Sequence, residues 1–312
     1  MGREWAAGTP GTVRRGDCPD VWANPRIQTL SPSSARRGWL ATVSTSATFD
    51  AAGVITLLTD FGLDDPFVGV MKGVILSLLP RAQIVDLTHA IPAQDIDAGA
   101  FWLERSFRYF PAGTVHIAVV DPGVGSERGA LVTESCGHCF VAPDNGLLAP
   151  VLRQDADAAS WAIDLARLAL PTPSMTFHGR DVFAPIGARL ACGGLKPSDL
   201  GASVEPVANT RHQSIAPPRS AAQGTVVIID HFGNLITNIS GREISLPPRP
   251  SVETCGRRLP LVRTYSDVAR GELMALINSF DRLEIACRDG SAAATLGAHR
   301  GTMVRVVRST AR

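Results

Sequence analysis

Hydrophobic positions in the N-terminal part of the chain follow two alternating patterns. Short continuous apolar runs end in polar or glycine-rich turns, as buried strands do, and between them apolar residues recur at helical spacing. The strand runs are 53–62 with its turn, 82–88 and 114–120, the hairpin is 129–143, and the helical segments are 68–79, 95–109 and 183–192. This alternation predicts an α/β N-terminal domain with a largely parallel sheet covered by helices.

The pattern changes beyond a polar, proline-bearing stretch, which indicates a linker between domains. Short apolar runs at strand spacing then alternate with Gly, Asn, Asp and Pro turns, which predicts a smaller all-β, barrel-like C-terminal domain. The predicted organisation is a disordered extension at 1–52, an α/β catalytic domain at 53–203, a linker at 204–222 and a β-barrel domain at 223–312.

Composition limits the classes of partner. The 312 residues are 45% hydrophobic and 19% charged, which is enough apolar material for two cores. The formal net charge of +1 predicts no nucleic-acid partner and no anionic membrane surface. No run approaches the roughly 18 consecutive apolar residues of a membrane span. We therefore expect a cytoplasmic protein.

One pair of the six cysteines resembles a redox motif, Cys136-Gly137-His138-Cys139. In redox proteins such a pair opens a helix, whose dipole stabilises the thiolate. Here it separates two strand-like runs, which favours a hairpin turn. We find no further zinc ligands near it in the sequence.

Asp121, Arg128 and His178 form the strongest candidate site by residue type. Asp121 follows a strand run at a glycine turn, where α/β proteins place their chemistry. A carboxylate can orient an imidazole, an imidazole can take a proton near neutral pH, and a guanidinium can hold an anion. The alternative is a structural ion pair beside a buried histidine. We interpret His89 and His116 as structural.

Asp60 also follows a strand, in Thr59-Asp60-Phe61-Gly62. A carboxylate there can bind both hydroxyls of a ribose, although Asp and Gly are equally ordinary turn residues. No glycine-rich phosphate motif follows any strand, which disfavours a dinucleotide or a triphosphate.

The C-terminal domain has a polar turn at Asp230-His231-Phe232-Gly233-Asn234. Its Asp and Asn side chains can bind an amino acid or a base edge, with Phe232 as an apolar face; the alternative is a plain hairpin turn. Glu284 lies within an apolar strand run, and we expect it to face solvent.

A series of short motifs carries a resemblance that spacing alone does not supply. In chain order they are Thr59-Asp60-Phe61-Gly62, Met71-Lys72-Gly73, Val85-Asp86-Leu87-Thr88-His89, Gly113-Thr114-Val115-His116, Asp121-Pro122-Gly123-Val124-Gly125, Pro143-Asp144-Asn145-Gly146, Thr176-Phe177-His178-Gly179-Arg180-Asp181 and Phe232-Gly233-Asn234. With them the chain from residue 54 onwards resembles the S-adenosyl-L-methionine (SAM) hydroxide adenosyltransferases, the adenosine-forming SAM hydrolases.

The resemblance implies a fold, an assembly and a reaction. The fold is an α/β domain followed by a small β-barrel. The assembly is a homotrimer in which SAM binds between one subunit's N-terminal domain and its neighbour's C-terminal domain. In the reaction, water splits SAM into adenosine and L-methionine with no metal and no other cofactor.

The resemblance also assigns residues. The family's catalytic residues fall on Asp121, Arg128 and His178. The substrate-binding residues are Asp60 for the ribose, then Asp230, Asn234 and, by a looser alignment, Ser279; we add Phe232 and Gly179 to this set. Because arginine stays protonated, we expect Arg128 to stabilise a hydroxide-like nucleophile, and His178, oriented by Asp121, to accept the proton.

Three alternatives stay open. The first is a halogenase, since related enzymes on the same scaffold transfer fluoride or chloride to the 5′ carbon. Where this chain has Phe177-His178-Gly179, the halogenase sequences resemble Phe-Tyr-Ser or a Gly variant of it, and they lack the triad. The second alternative is a non-catalytic adenosine- or SAM-binding protein. The third is a metal-dependent hydrolase that uses Asp60, Asp121, Asp144 and His178.

Overall fold

The computed structural model describes residues 49–168, 172–207, 223–242 and 250–308, and the chain divides into two compact units at residue 208. The predicted extension up to residue 48 and the linker residues 208–222 lie outside the described residues. Residues 49–52 contact the N-terminal unit. Phe49 N–H donates to Glu134 Oε1 at 2.6 Å, and the Phe49 ring packs on the core. Residues 49–52, which the sequence assigned to the extension, therefore belong to the N-terminal unit.

The N-terminal unit contains a mixed sheet and helices. Its described strands are β1 (Val54–Thr59), β2 (Gln83–Thr88), β3 (Val115–Val119), β4 (Ala130–Ser135), β5 (His138–Pro143) and β6 (Ala159–Ala162). Its described α-helices are α1 (Phe67–Leu78), α2 (Ile96–Ser106), α3 (Ala149–Leu152) and α4 (Ala184–Ala191). The sequence predicted most of these elements but missed β6 and α3.

The sheet has the order β2-β1-β3-β5-β4-β6. Strands β2, β1, β3 and β5 are parallel, whereas β4 pairs antiparallel with both β5 and β6. Ile55 and Leu57 of β1 belong to the core with α1 and α4, while a Cβ on Gly99 of α2 would lie 3.6 Å from Leu58 on the opposite face. The predicted, largely parallel sheet covered by helices is confirmed.

Two predicted helices differ in detail. The segment predicted at 95–109 ends its α-helix at Ser106 and continues as a 3₁₀ turn at Phe107–Tyr109. The segment predicted at 183–192 starts earlier, as a π-helical turn at Gly179–Phe183 that runs into α4. Such π turns occur often at functional sites, and this one begins directly after His178.

The C-terminal unit is an antiparallel sheet that nearly closes on itself. Its described strands are β7 (Gln223–Ile229), β8 (Leu235–Ser240), β9 (Pro250–Thr254), β10 (Arg257–Pro260), β11 (Leu273–Ile277), β12 (Arg282–Cys287) and β13 (Met303–Arg308), and α5 covers Ala292–Leu296. The order is β10-β9-β13-β7-β8-β12-β11, and a bridge between Leu261 and Ala275 brings the two edges together. The predicted barrel-like domain is confirmed.

The cysteine pair lies in a hairpin, as predicted. Ser135 pairs with His138, and the two residues between them, Cys136 and Gly137, have φ of 51° and 77°. Positive φ at both positions is the geometry of a tight two-residue hairpin turn. Among the described residues, no helix has the length and apolar character needed to cross a bilayer.

Candidate active site

Asp121 and Arg128 are held together by the turn after β3. Ser126 closes the turn by donating from both its N–H and its Oγ to the Gly123 carbonyl, at 3.1 and 2.6 Å. Gly125 has φ of 77°, and a Cβ there would meet the Met175 carbonyl at 2.4 Å. Only glycine fits this turn, which brings Arg128 back to Asp121.

The Arg128 guanidinium is the centre of the site. Its Nε donates to Asp121 Oδ1 at 2.9 Å, and its Nη2 makes a second, shorter contact with Asp121 Oδ2. This two-pronged pairing fixes the plane of the guanidinium. The guanidinium carbon also lies 5.5 Å from the centre of the Phe183 ring. The side chains of Arg128 and Asp121 are only 11% and 5% exposed, so the charge pair is largely removed from water.

His178 contacts Arg128. Nη2 of Arg128 lies 2.7 Å from His178 Nδ1. Because a guanidinium only donates, Nδ1 is the acceptor, and the single proton of a neutral imidazole is then on Nε2. The described hydrogen bonds of the Asp121 carboxylate are with Arg128, so Asp121 orients the guanidinium. The expectation that Asp121 orients the imidazole directly is not what the geometry shows.

The surroundings favour neutral His178. Burial lowers the pKa of the imidazole below its ordinary value of 6.5, and the charge of Arg128 lowers this pKa further. The carboxylates of Asp121 and Asp181 act in the opposite direction. With Nδ1 occupied by Arg128 and a proton on Nε2, the imidazole is a donor towards any group beyond it, which opposes the expected role as proton acceptor.

Asp60 lies at the same edge of the sheet. Because β1 and β3 are parallel and Thr59 pairs with Val119, the residues that follow the two strands emerge side by side. Asp60 Oδ2 accepts a hydrogen bond from the Gln94 N–H at 2.7 Å. The rings of Phe61 and Phe177, next in sequence to Asp60 and His178, lie 6.0 Å apart. The loop that carries Asp60 therefore contacts the segment that carries His178 through these two rings.

Gly179 is buried beneath these rings. A Cβ at this position would lie 3.0 Å from Phe177, 3.1 Å from the Met71 sulfur and 3.3 Å from Phe61. The absence of a side chain at Gly179 thus lets Phe177, Met71 and Phe61 pack closely around it. Contact between Gly179 and a substrate remains a prediction.

Asp230 organises the turn between β7 and β8. Its Oδ1 accepts from the N–H groups of Phe232 and Asn234, both at 2.9 Å, and its Oδ2 accepts from Asn234 Nδ2 at 3.0 Å. These contacts fit the turn interpretation of Asp230 and Asn234. The Phe232 ring is 72% exposed, so the same turn also presents an apolar face.

Ser279 lies exposed in the turn between β11 and β12. Asn278 shapes this turn, because its Oδ1 accepts from the N–H groups of Phe280 and Arg282 at 3.0 and 3.1 Å. Asn278 Nδ2 in turn donates to Glu284 Oε2 at 3.0 Å. The turn that carries Ser279 is therefore tied to the barrel wall.

The expectation that Glu284 faces solvent is wrong. Glu284 is 3% exposed, and the Tyr265 hydroxyl donates to its Oε1 at 2.7 Å. Burial raises the pKa of the Glu284 carboxyl above its ordinary range, as does the nearby Asp230, while the hydrogen bonds from Tyr265 and Asn278 lower it. The sequence signal was an apolar run around Glu284 with no polar alternation, which indicates a strand covered on both faces.

No metal centre is evident in the described part of the chain. Within residues 49–168, 172–207, 223–242 and 250–308, no three His, Cys, Asp or Glu side chains are grouped to hold an ion. Asp144, a ligand in the metal-dependent alternative, accepts from the Val207 N–H at 2.8 Å.

Comparison with known proteins identifies the family. A sequence model of the SAM hydroxide adenosyltransferase N-terminal domain matches residues 55–201, and one of the C-terminal domain matches residues 224–305. The chain belongs to the SAM hydroxide adenosyltransferase family. In this family member, every predicted catalytic and substrate-binding residue lies inside one of the matched ranges.

Named relatives of this SAM hydroxide adenosyltransferase fall into two groups. An (R)-S-adenosyl-L-methionine hydrolase of Thermus thermophilus is 39% identical over 261 residues, which are 81% of this chain and 99% of the relative. A fluorinase of Actinopolyspora mzabensis is 26% identical over 303 residues, covering 82% and 97%.

A solved structure shares the fold. The crystal structure of an uncharacterised conserved protein from Thermotoga maritima is 33% identical to this SAM hydroxide adenosyltransferase. The two structures superpose with a TM-score of 0.74, and the match covers 81% of this chain and 100% of the Thermotoga maritima chain.

Proposed function

We propose that the protein hydrolyses SAM to adenosine and L-methionine by attack of hydroxide on the 5′ carbon. The observation that carries the proposal is the Arg128 guanidinium, held by Asp121 and hydrogen-bonded to neutral His178. Membership of the SAM hydroxide adenosyltransferase family supports it, as do the names of the hydrolase relatives.

The leaving group sets what the site has to do. The sulfonium of SAM departs as a neutral thioether, so no general acid is required. Hydroxide and the SAM cation together give adenosine and methionine, and hydroxide drawn from solution leaves its proton in the solvent. The remaining tasks are to hold the nucleophile in line with the sulfur and to limit its hydration.

Arg128 provides the charge for a hydroxide. Its described contacts with Asp121, His178 and the Gly129 carbonyl leave one N–H of Nη1 without an acceptor among the described residues. A fixed, partly dehydrated guanidinium stabilises an anion more strongly than the same group in water. We assign this N–H and the guanidinium charge to the bound hydroxide.

His178 completes the group as a neutral donor. Its Nδ1 accepts from Arg128, and the proton on Nε2 is available to the nucleophile or to the substrate. In this scheme Asp121 aims Arg128, Arg128 stabilises hydroxide, and His178 limits where the hydroxide can lie.

The substrate contacts follow the family assignment, with Phe232 added as an apolar face. Asp60 binds the ribose, and Asp230, Asn234 and Ser279 contact the rest of SAM together with Phe232. We further propose a homotrimer with SAM bound between subunits, and light scattering on the purified protein tests the trimeric state.

The function is tested by product analysis. The protein is incubated with the R and S sulfonium epimers of SAM, and adenosine and methionine are quantified with and without fluoride or chloride. Adenosine formation independent of halide supports the proposal. A 5′-halogenated product identifies a halogenase, tight binding without product identifies a sensor, and loss of activity in a strong chelator identifies a metal enzyme.

The pH dependence of turnover tests the role of His178. Protonation at Nδ1 would place an N–H against the Arg128 donor and break the hydrogen bond between the two side chains. Because the pKa of His178 is lowered, this hydrogen bond is lost only below pH 6.5. A plot of the logarithm of kcat/KM against pH should therefore have a slope of about one where only the hydroxide concentration changes. In the acid range, where His178 must also lose a proton, the slope should be about two.

The matched variant is His178→Asn, whose Oδ1 can accept from Arg128 without titrating. It should keep the slope of about one throughout. A wild-type profile as shallow as that of the variant in the acid range would remove His178 from this role.

A further inference from the structure

A chain of polar side chains runs from the surface to the end of β1. Lys72 Nζ lies 2.6 Å from Asp86 Oδ2, Asp86 Oδ1 lies 3.1 Å from His89 Nε2, and His89 Nδ1 lies 2.8 Å from Thr59 Oγ1. Burial would raise the pKa of Asp86, but the neighbouring Lys72 and His89 side chains lower it, so Asp86 is the anion of the chain. Nothing in the proposed chemistry uses these residues.

The two ends of His89 are bonded unequally. The contact between Nδ1 and the Thr59 hydroxyl is a good hydrogen bond, whereas Nε2 lies at ion-pair distance from Asp86 without a well-aligned acceptor. Thr59 is fully buried and His89 is 4% exposed. Valine would fill the position of Thr59 equally well, so packing does not explain a buried hydroxyl there.

The chain ends on the loop that carries Asp60. Thr59 Oγ1 accepts from the Phe61 N–H at 3.2 Å, and the His89 carbonyl accepts from the Gly62 N–H at 2.8 Å. When the Thr59 hydroxyl donates to His89 Nδ1, its oxygen can accept from the Phe61 N–H. Phe61 then donates to Thr59, and Thr59 donates to His89. His89 thus holds the loop on both sides of Phe61.

We propose that Thr59 and His89 are positioning residues that fix the 60–62 loop and so hold the Asp60 carboxylate for the ribose of the substrate. The proposal rests on the proposed function only for the identity of the substrate. The contact with the ribose is measured separately by the binding of adenosine, which contains this ribose.

The first experiment compares Thr59→Val with Thr59→Ser. Valine keeps the shape and removes the hydroxyl, whereas serine keeps the hydroxyl. Loss of one buried hydrogen bond should weaken adenosine binding, measured by calorimetry, and raise KM for SAM by about tenfold, with kcat little changed. Thr59→Ser should stay within about twofold of wild type, as should the control Ser77→Ala, which removes an exposed hydroxyl from α1.

A double-mutant cycle shows whether Thr59 acts through Asp60. Asp60→Ala alone should weaken adenosine binding and raise KM. Adding Thr59→Val to it should then cost nothing more, because the group being positioned is already gone. Additive effects, or an unchanged adenosine affinity in Thr59→Val, would overturn the proposal.

His89 provides an independent pair of variants if Thr59→Val does not fold. Asn places its Oδ1 near the position of Nδ1, whereas Gln places its amide nearer that of Nε2. His89→Asn should bind adenosine about as well as wild type and His89→Gln about tenfold more weakly. The reverse order would overturn the proposal. Failure of wild-type protein to release adenosine from SAM would refute the proposed function and leave the binding comparison intact.

Discussion

Arg128→Ala will lower kcat for SAM hydrolysis by about a hundredfold to a thousandfold, the loss typical of removing one pre-organised donor from a developing or reacting charge. The guanidinium is fixed by Asp121, and its remaining N–H is the group assigned to hydroxide. Because Arg128 acts on the nucleophile and the substrate contacts lie elsewhere, the KM for SAM should change by less than about threefold.

The controls separate charge from geometry. Arg128→Lys keeps a cation but cannot form the two-pronged pair with Asp121, so its kcat should lie between those of wild type and Arg128→Ala. Arg153→Ala removes an exposed arginine at the end of α3 and should leave kcat unchanged. A kcat for Arg128→Ala within about threefold of wild type would exclude the assigned role.

The N-terminal unit will lose roughly 3 kcal/mol of unfolding free energy as the pH falls from 6.5 towards 4, because burial lowers the pKa of His138 from 6.5 to about 4. His138 is almost fully buried, and the charge of Arg108 contributes to this lowered pKa. Between these two pH values the unfolded chain binds a proton that the folded chain does not, so acid favours unfolding. This stability is complete above pH 6.5.

A second buried histidine adds to the effect. Burial lowers the pKa of His116 well below its ordinary value, and so does His138, whose Nδ1 lies 3.2 Å from His116 Nε2. Thr56 Oγ1 occupies the other nitrogen of His116 at 2.7 Å. The interpretation of His116 as a buried, hydrogen-bonded histidine is confirmed, with a consequence for acid stability.

Urea unfolding at neutral and acid pH measures this loss. All five tryptophans precede residue 208, so tryptophan fluorescence follows the N-terminal part of the chain. In His138→Asn, Oδ1 can replace Nδ1 as acceptor without titrating, so the pH dependence should shrink by about 3 kcal/mol. His299→Asn, at an exposed position in the other unit, should leave it unchanged. An equal acid loss in wild type and His138→Asn would contradict this account.

Much of the fold was predictable because the core is patterned regularly. The runs that became β1 and β3 are buried on both faces, and α1 and α2 carry an apolar stripe. The run that became β2 was also expected to be a buried strand, but β2 lies at the edge of the sheet and is partly exposed. The missed elements lack such a signal. β6 and α3 are each only four residues long, too short for a periodic pattern to show.

The members of the candidate site were predictable from their motifs, but their arrangement was not. Which group contacts His178 depends on the turn that returns Arg128 to Asp121, and residue types alone do not specify its geometry. The same limit explains Glu284, whose burial depends on the Tyr265 and Asn278 side chains that cover it. Periodicity reports which face is apolar, whereas a buried polar network depends on partners that are distant in sequence.

The central claim, attack of hydroxide on the 5′ carbon of SAM, is tested most directly by the origin of the oxygen in the product. The reaction is run in water enriched in oxygen-18, and adenosine and methionine are analysed by mass spectrometry. We predict one heavy oxygen in adenosine, at the 5′ hydroxyl, and none in methionine. Unlabelled adenosine, label in methionine, or no adenosine at all would contradict the account.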